Sequence, residues 1–268
     1  MEFPANDRVS IDLGDDGVAQ VRLTRPDKMN ALDPEMFERI IQAGQALHTM
    51  KGLRAVVLSG EGPSFCAGLD TSTFGREPAA DEPGLTERTF GNSNKFQQVA
   101  TQWRKLPVPV VCAIHGVCFG GGMQIASGAD IRVAAPDSRM AIMELKWGLV
   151  PDMGGYALWR GLVRDDMLRE LVYTNRQFTG AEALEYGLAT FVDADPHARA
   201  TTIATEIANR NPHAIRAAKR LHNKMADEDN DTLLMEESIE QHGIMRSKNQ
   251  IEAVMAGMAK RPAVFEDV

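Results

Sequence analysis

The sequence predicts an α/β fold with a mostly parallel sheet, followed by a region made only of helices. Three observations carry this expectation. Apolar runs of strand length alternate with segments of helical period through the first part of the chain. Strand signals stop near residue 195, and four helical patterns follow. Hydrophobic residues make up 44% and charged residues 25% of 268, enough apolar chain for a sizeable core. The boundaries expected are a core over 1–195 and a helical region over 196–268.

Val9 to Leu13 and Val18 to Leu23 alternate apolar and polar residues around Gly14 to Gly17, a β-hairpin pattern. Asp33-Pro34 reads as an N-cap with proline at the first helical position. Behind it, Met36, Phe37, Ile40, Ile41, Gly44 and Leu47 share one helical face. Ala55 to Leu58, Val108 to Ile114 and Ile131 to Ala134 are candidate buried strands, and Phe96 to Leu106 and Met123 to Ser127 candidate helices. Thr71 to Thr89, rich in Gly, Pro, Asp and Glu, reads as a mobile loop. The later helices are expected over Ala198 to Asn209, Pro212 to Met225, Thr232 to Met245 and Ile251 to Lys260.

The formal net charge is −8 and the pI about 5.3, which argues against nucleic-acid binding. The densest basic stretch, Arg216, Lys219, Arg220 and Lys224, has the spacing of a solvated helix face. Three cysteines, Cys66, Cys112 and Cys118, lack C-x-x-C spacing and suit a reducing compartment. The N-terminus lacks the basic and apolar regions of a secretory signal, and no apolar run is long enough for a membrane span. A soluble cytoplasmic protein is expected. The six histidines show no paired ligand spacing, so no metal site is implied.

Two glycine-containing turns draw attention: Ser64 to Asp70 after a strand, and Ile114 to Gln124 between a strand and a helix. Backbone amides at a helix start lack intrahelical partners and can hold a developing negative oxygen. Glycine lets a substrate approach closely, or lets backbone pack tightly. Neither turn has the pattern of a phosphate loop or a dinucleotide fingerprint. Cys66 reads as a small buried thiol, His115 as a structural polar residue, and Trp103, Trp147 and Trp159 as packing residues.

Four segments together carry a resemblance. They are Arg25 to Leu32, Phe65 to Asp70, His115 through Gly120-Gly121-Gly122 to Arg132, and Glu144 to Gly155. In order and spacing, over roughly residues 8–265, the chain resembles the crotonase superfamily, the enoyl-CoA hydratase/isomerase group. The resemblance implies the crotonase (ClpP-like) spiral of ββα units with a C-terminal helical oligomerisation region. It implies an acyl-CoA substrate, with coenzyme A as part of that substrate and no separate cofactor. It also implies a homotrimer or hexamer; the charge and apolar patterning described above argue against a nucleic-acid or membrane partner. By position, the amides of Leu69 and Gly121 would bind the thioester oxygen. Lys28, Ala31, Ala67, Leu69 and Asp70 match coenzyme A contacts, and Phe265 matches an aromatic that reaches a neighbour's adenine.

Hydratases of this group use two glutamates. Here the first position is Gln124, which can hydrogen-bond but cannot exchange a proton as a carboxylate does, and the second is Glu144. Asp152 matches a catalytic aspartate of dienoyl-CoA isomerases, which also keep the glutamate. Dehalogenases of the superfamily share an aspartate there but carry tryptophan where Glu144 stands. The expectation is therefore enoyl- or dienoyl-CoA isomerisation ahead of hydration. A thioester hydrolase or dehalogenase comes next, and a non-catalytic binder last.

Overall fold

The computed structural model describes residues 3, 6–75 and 83–268. The N-terminal hairpin is present, with β1 (Val9–Leu13) antiparallel to β2 (Val18–Leu23). Asp33 caps α1 (Pro34–His48) by accepting from Met36 N at 2.7 Å, and the apolar face read from the sequence is the buried one. There follow β3 (Ala55–Gly60), α2 (Lys95–Lys105), β4 (Val110–Ile114), β5 (Val117–Phe119), α3 (Gly121–Ser127), β6 (Ile131–Ala134) and β7 (Arg139–Ala141). Then come α4 (Gly155–Trp159), α5 (Asp165–Thr174), β8 (Phe178–Thr179), α6 (Gly180–Tyr186) and β9 (Phe191–Val192). The chain ends in α7 (Pro196–Ala208), α8 (Pro212–Lys224), α9 (Asn230–Ile244) and α10 (Lys248–Ala259). The loop expected at Thr71 to Thr89 falls partly on residues 76–82, outside the described residues; its first part is a 3₁₀ turn, Thr71–Thr73.

The strands form two sheets. The larger runs β1-β2-β3-β4-β6-β9, parallel except for the β1–β2 hairpin, and the smaller runs β5-β7-β8. Successive turns of chain give one strand to each sheet: β4 then β5, β6 then β7. That alternation, closed by helices, is the expected spiral of ββα units.

Parallel strands buried on both faces read as continuous apolar runs, because neither side is left for polar residues. The structure follows this rule. Val56 and Leu58 of β3, with Val110, Cys112 and Ile114 of β4, pack in the core that holds α1, α2 and α3. Ala55, Val57, Val111 and Ala113 face the other way, against Ala200, Ile203, Ala204 and Ala208 of α7. So α7 lies on the sheet, although the strand pattern ends before it.

The basic stripe on α8 corrects the expectation of a solvated face. Lys219 is 5% exposed, and its ammonium donates to Trp103 O at 3.0 Å, Val108 O at 2.7 Å and Asp130 Oδ2 at 2.8 Å. Burial lowers its pKa, while the charge of Asp130 acts in the opposite direction. Arg220 and Lys224 pair with Glu240 and Glu236 of α9. The stripe therefore joins α8 to the sheet layer on one side and to α9 on the other. No helix among the described residues is long and apolar enough to cross a membrane.

Replacing Lys219 by Met should destabilise the fold by about 3 kcal/mol, since the carboxylate and two carbonyls lose a buried cation. Equilibrium urea unfolding checks this; a loss under about 1 kcal/mol would show that the anchor contributes little.

Candidate active site

Three backbone segments lie side by side and build the first wall of the site. Ala67 N donates to Met29 O, Leu32 N to Gly68 O, and Asp70 N to Leu32 O, so the chain at 29–32 pairs with 67–70. On the other side, Cys66 N donates to Val117 O and Phe119 N to Cys66 O, which joins the same segment to β5. Asn30 fixes the first segment. It sits in the left-handed region at φ +55°, fully buried, and its amide donates to Glu61 O at 3.0 Å and Ser64 O at 2.9 Å. Asparagine tolerates that conformation better than most residues, yet sequence reading did not single it out.

This pairing carries the two glycine turns together. Gly68 has φ +86°, and a Cβ there would stand 2.7 Å from Phe119 O and 3.6 Å from Gly121 N. Only glycine allows that approach. Neither the Leu69 nor the Gly121 N–H has an acceptor among the described residues. The two amides named from the sequence thus belong to adjoining turns and are both available.

The second wall carries the acids. Glu144 opens a 3₁₀ turn after β7 and lies near the second glycine turn; a Cβ on Gly120 would be 3.5 Å from its Oε1. Oε1 accepts from Gln124 Nε2 at 2.6 Å, whereas Oε2 is buried with no partner among the described residues. Burial, and then the negative charge of Asp152, push the Glu144 pKa up. Asp152 is exposed as a residue, but crowding around its carboxyl raises its pKa too. Asp152 does not cap the helix after it. The Met153 and Gly155 amides at the start of α4 donate instead to Gln124 Oε1, both at 2.9 Å. Gln124, on α3, is fully buried and hydrogen-bonded at both ends of its amide.

The coenzyme A positions named from the sequence divide. Lys28 is exposed, Ala31 buried and Ala67 half-buried, all on the paired segments 28–31 and 67–70. The Asp70 carboxylate is already engaged. Its contacts with Ser72, then Arg25 at 2.7 Å, hold its pKa down at about 2. Phe265 lies apart from these residues, in a tail that turns back on its own chain. Its carbonyl accepts from Arg54 at 3.3 Å, and the next residue exchanges two hydrogen bonds with Asn249.

Other candidates resolve simply. Cys66 is buried, and desolvation pushes its thiol up to about 12, so it stays protonated. The His115 ring is 2.9 Å from Gly62 O. Trp103 and Trp159 are core residues, but Trp147 is 48% exposed, contrary to its reading as a packing residue. Its ring meets Phe74 edge-on at 5.1 Å, which brings the chain after Asp70 against the turn that carries Glu144. Among the described residues, no group of three or more His, Cys, Asp or Glu could hold a metal ion.

The fold is that of the crotonase superfamily. It matches the crystal structure of an enoyl-CoA hydratase from Bacillus anthracis with a TM-score of 0.86 at 27% identity, over 96% of this chain and 98% of that one. An enoyl-CoA hydratase/isomerase structure from Mycobacterium abscessus gives 0.86 at 28%, over 96% and 99%. The model of the enoyl-CoA hydratase/isomerase family matches residues 14–268, and the chain belongs to that family. Among curated relatives, a mitochondrial Delta(3,5)-Delta(2,4)-dienoyl-CoA isomerase of Mus musculus is 30% identical over 91% of this chain and 77% of its own length. An enoyl-CoA hydratase of Mycobacterium tuberculosis is 34% identical over 75% and 74%.

The raised pKa of Glu144 has a consequence for stability. An unfolded glutamate titrates near ~4.3. Between that value and the higher folded one, the folded chain holds a proton that the unfolded chain has released. Stability therefore falls as pH rises through the window, and the deficit persists above it. Glu144→Gln removes the penalty, so its Tm should exceed that of the wild type at about pH 8 and converge with it below about pH 4. Calorimetry at the two pH values tests this; a Tm difference independent of pH would contradict it.

Proposed function

We propose that the protein moves double bonds in an enoyl- or dienoyl-CoA thioester. One observation carries the reading: two carboxylates, Glu144 and Asp152, have pKa values raised by burial, and the charge of Asp152 reaches Glu144, which lies beside the glycine turn that bears one of two acceptor-free amides. The thioester oxygen would sit on the Leu69 and Gly121 amides, each donor typically worth ~3–4 kcal/mol to an oxyanion. One carboxylate takes a proton from carbon, and the electron pair moves through the conjugated system onto that oxygen. The pair then returns and forms a C–H bond at a different carbon, with the proton supplied by the other acid. The two acids exchange protonation states in each turnover. A proton must then pass from the acid that gained one to the acid that lost one, by way of the solvent at exposed Asp152, to restore them. No water is added, and nothing is oxidised or reduced.

Hydration is the second reading, supported by the names of several relatives. It needs water held between Glu144 and a second polar group. Gln124 is poorly suited to that task, because it is fully buried and bonded at both ends. Hydrolysis of the thioester ranks below both.

Coenzyme A would run along the segment that contains Lys28, Ala31 and Ala67, with the backbone of Asp70 beside it. Phe265 would serve a neighbouring subunit. A trimer, alone or paired as a hexamer, agrees with the apolar residues that α9 and α10 expose, including Leu234, Met235, Ile239, Met255 and Met258. Deleting the residues after Lys260 should weaken coenzyme A binding; unchanged affinity and sedimentation would remove the role of Phe265.

The main test uses 3,5-dienoyl- and 2-enoyl-CoA in deuterated water, with mass analysis of products. Double-bond migration with deuterium incorporation is expected, along with weak hydration. Asp152→Asn should lower the migration rate by about 10²-fold or more. Efficient hydration that is indifferent to Asp152→Asn would make the hydratase reading correct.

A further inference from the structure

We propose that Gln124 is a positioning residue that makes Glu144 a one-oxygen proton carrier and ties it to the turn bearing Asp152. The inference rests on the assignment of those two carboxyls as the reacting groups. It concerns a side chain that itself touches no substrate.

The orientation of the amide is fixed by its partners. Met153 N–H and Gly155 N–H can only donate, so the atom facing both must be the Gln124 oxygen. The Gln124 nitrogen is therefore the atom turned toward Glu144 Oε1, at 2.6 Å. An amide proton is not given up in ordinary acid–base exchange, so Oε1 is held permanently as an acceptor. Proton traffic is left to Oε2, which is buried and has no partner among the described residues.

A glutamate in the same place would behave differently. One of its oxygens would face the two amides and the other would face Glu144, and two carboxyls at that separation must share a proton. The carboxamide removes this competition. Asp152 is the other titratable group whose charge reaches Glu144, and Lys146, two residues on, lies over the Trp147 ring at 5.2 Å.

The second half of the role is mechanical. The residue before α4 is Gly154, which has no side chain to cap the helix, and the Asp152 carboxylate accepts nothing from its first amides. The Gln124 oxygen takes that place. One amide therefore holds Glu144 at one end and, at the other, the two backbone groups that follow Asp152.

The test uses the full-length protein without substrate, and then with it. In Gln124→Met the cap and the Glu144 contact are both lost. Amide hydrogen exchange at Met153 and Gly155 should rise about tenfold or more, and kcat for isomerisation should fall with KM little changed. In Gln124→Glu the cap remains, so protection of both amides should persist. The Glu144 carboxyl, followed by carbon NMR, should titrate at least ~1 pH unit higher, and the acid limb of the pH–rate profile should move with it. Unchanged exchange in Gln124→Met, or unchanged Glu144 titration in Gln124→Glu, would overturn the proposal. If Gln124→Met does not fold, Gln124→Glu decides alone. Exchange and titration do not depend on which acyl-CoA is turned over. A failure of the isomerase reading therefore leaves these two results standing.

Discussion

The shared backbone ladder of residues 29–32, 66–70 and 117–119 is the constraint on which the rest of the site depends. Backbone groups withdrawn from water must find partners, and this ladder supplies them on both sides of the middle segment. The glycine turns begin where the pairing stops. The amides of Leu69 and Gly121 are left over from it and are held by everything around them. Such donors need no reorganisation when charge appears, which is what makes fixed amides effective against an oxyanion. The side chains of Arg25, Asn30 and Asp70 brace the ladder. The Arg25 guanidinium bonds both Ala31 O, at 3.0 Å, and the Asp70 carboxylate.

Much of the frame was legible in the sequence, for identifiable reasons. The hairpin, the capped α1 and the central strands carry local patterns long enough to read. The strands β5 and β7 have three residues each and β8 and β9 two, too few for any period to show. Lys219 was misread because an inward lysine has the same helical spacing as an outward one. Only the half-buried Asp130 and the two carbonyls opposite it reveal the difference. The pairing of distant turns at the site could not come from local pattern at all, since it joins backbone atoms 36 to 53 residues apart. The resemblance of four ordered segments supplied that link. The connecting role of Gln124 was invisible for the same reason: its partners lie 20, 29 and 31 residues away.

Charge is handled in two opposite ways in this structure. Apart from the two acids, charges withdrawn from water are matched: Lys219 with Asp130, Arg25 with Asp70. At the site, two like charges are brought close and one carboxylate oxygen is left unpartnered. A structure optimised only for stability would not keep that arrangement. The arrangement is local, and it is held by a frame whose central parallel strands are buried on both faces.

The two-sided burial of the sheet also bears on how the chain acquires its shape. Parallel neighbours cannot be joined by a tight hairpin, so each pairing closes a long loop before any contact offsets the lost entropy. Only β1 and β2 can pair early. Strands exposed on both faces and both edges in the meantime are sticky, and folds of this kind assemble slowly through partly collapsed states. The candidate catalytic groups come from residues 69, 121, 144 and 152, so no early fragment contains them all. A nascent chain on the ribosome would thus remain chemically silent until it has emerged well past residue 152.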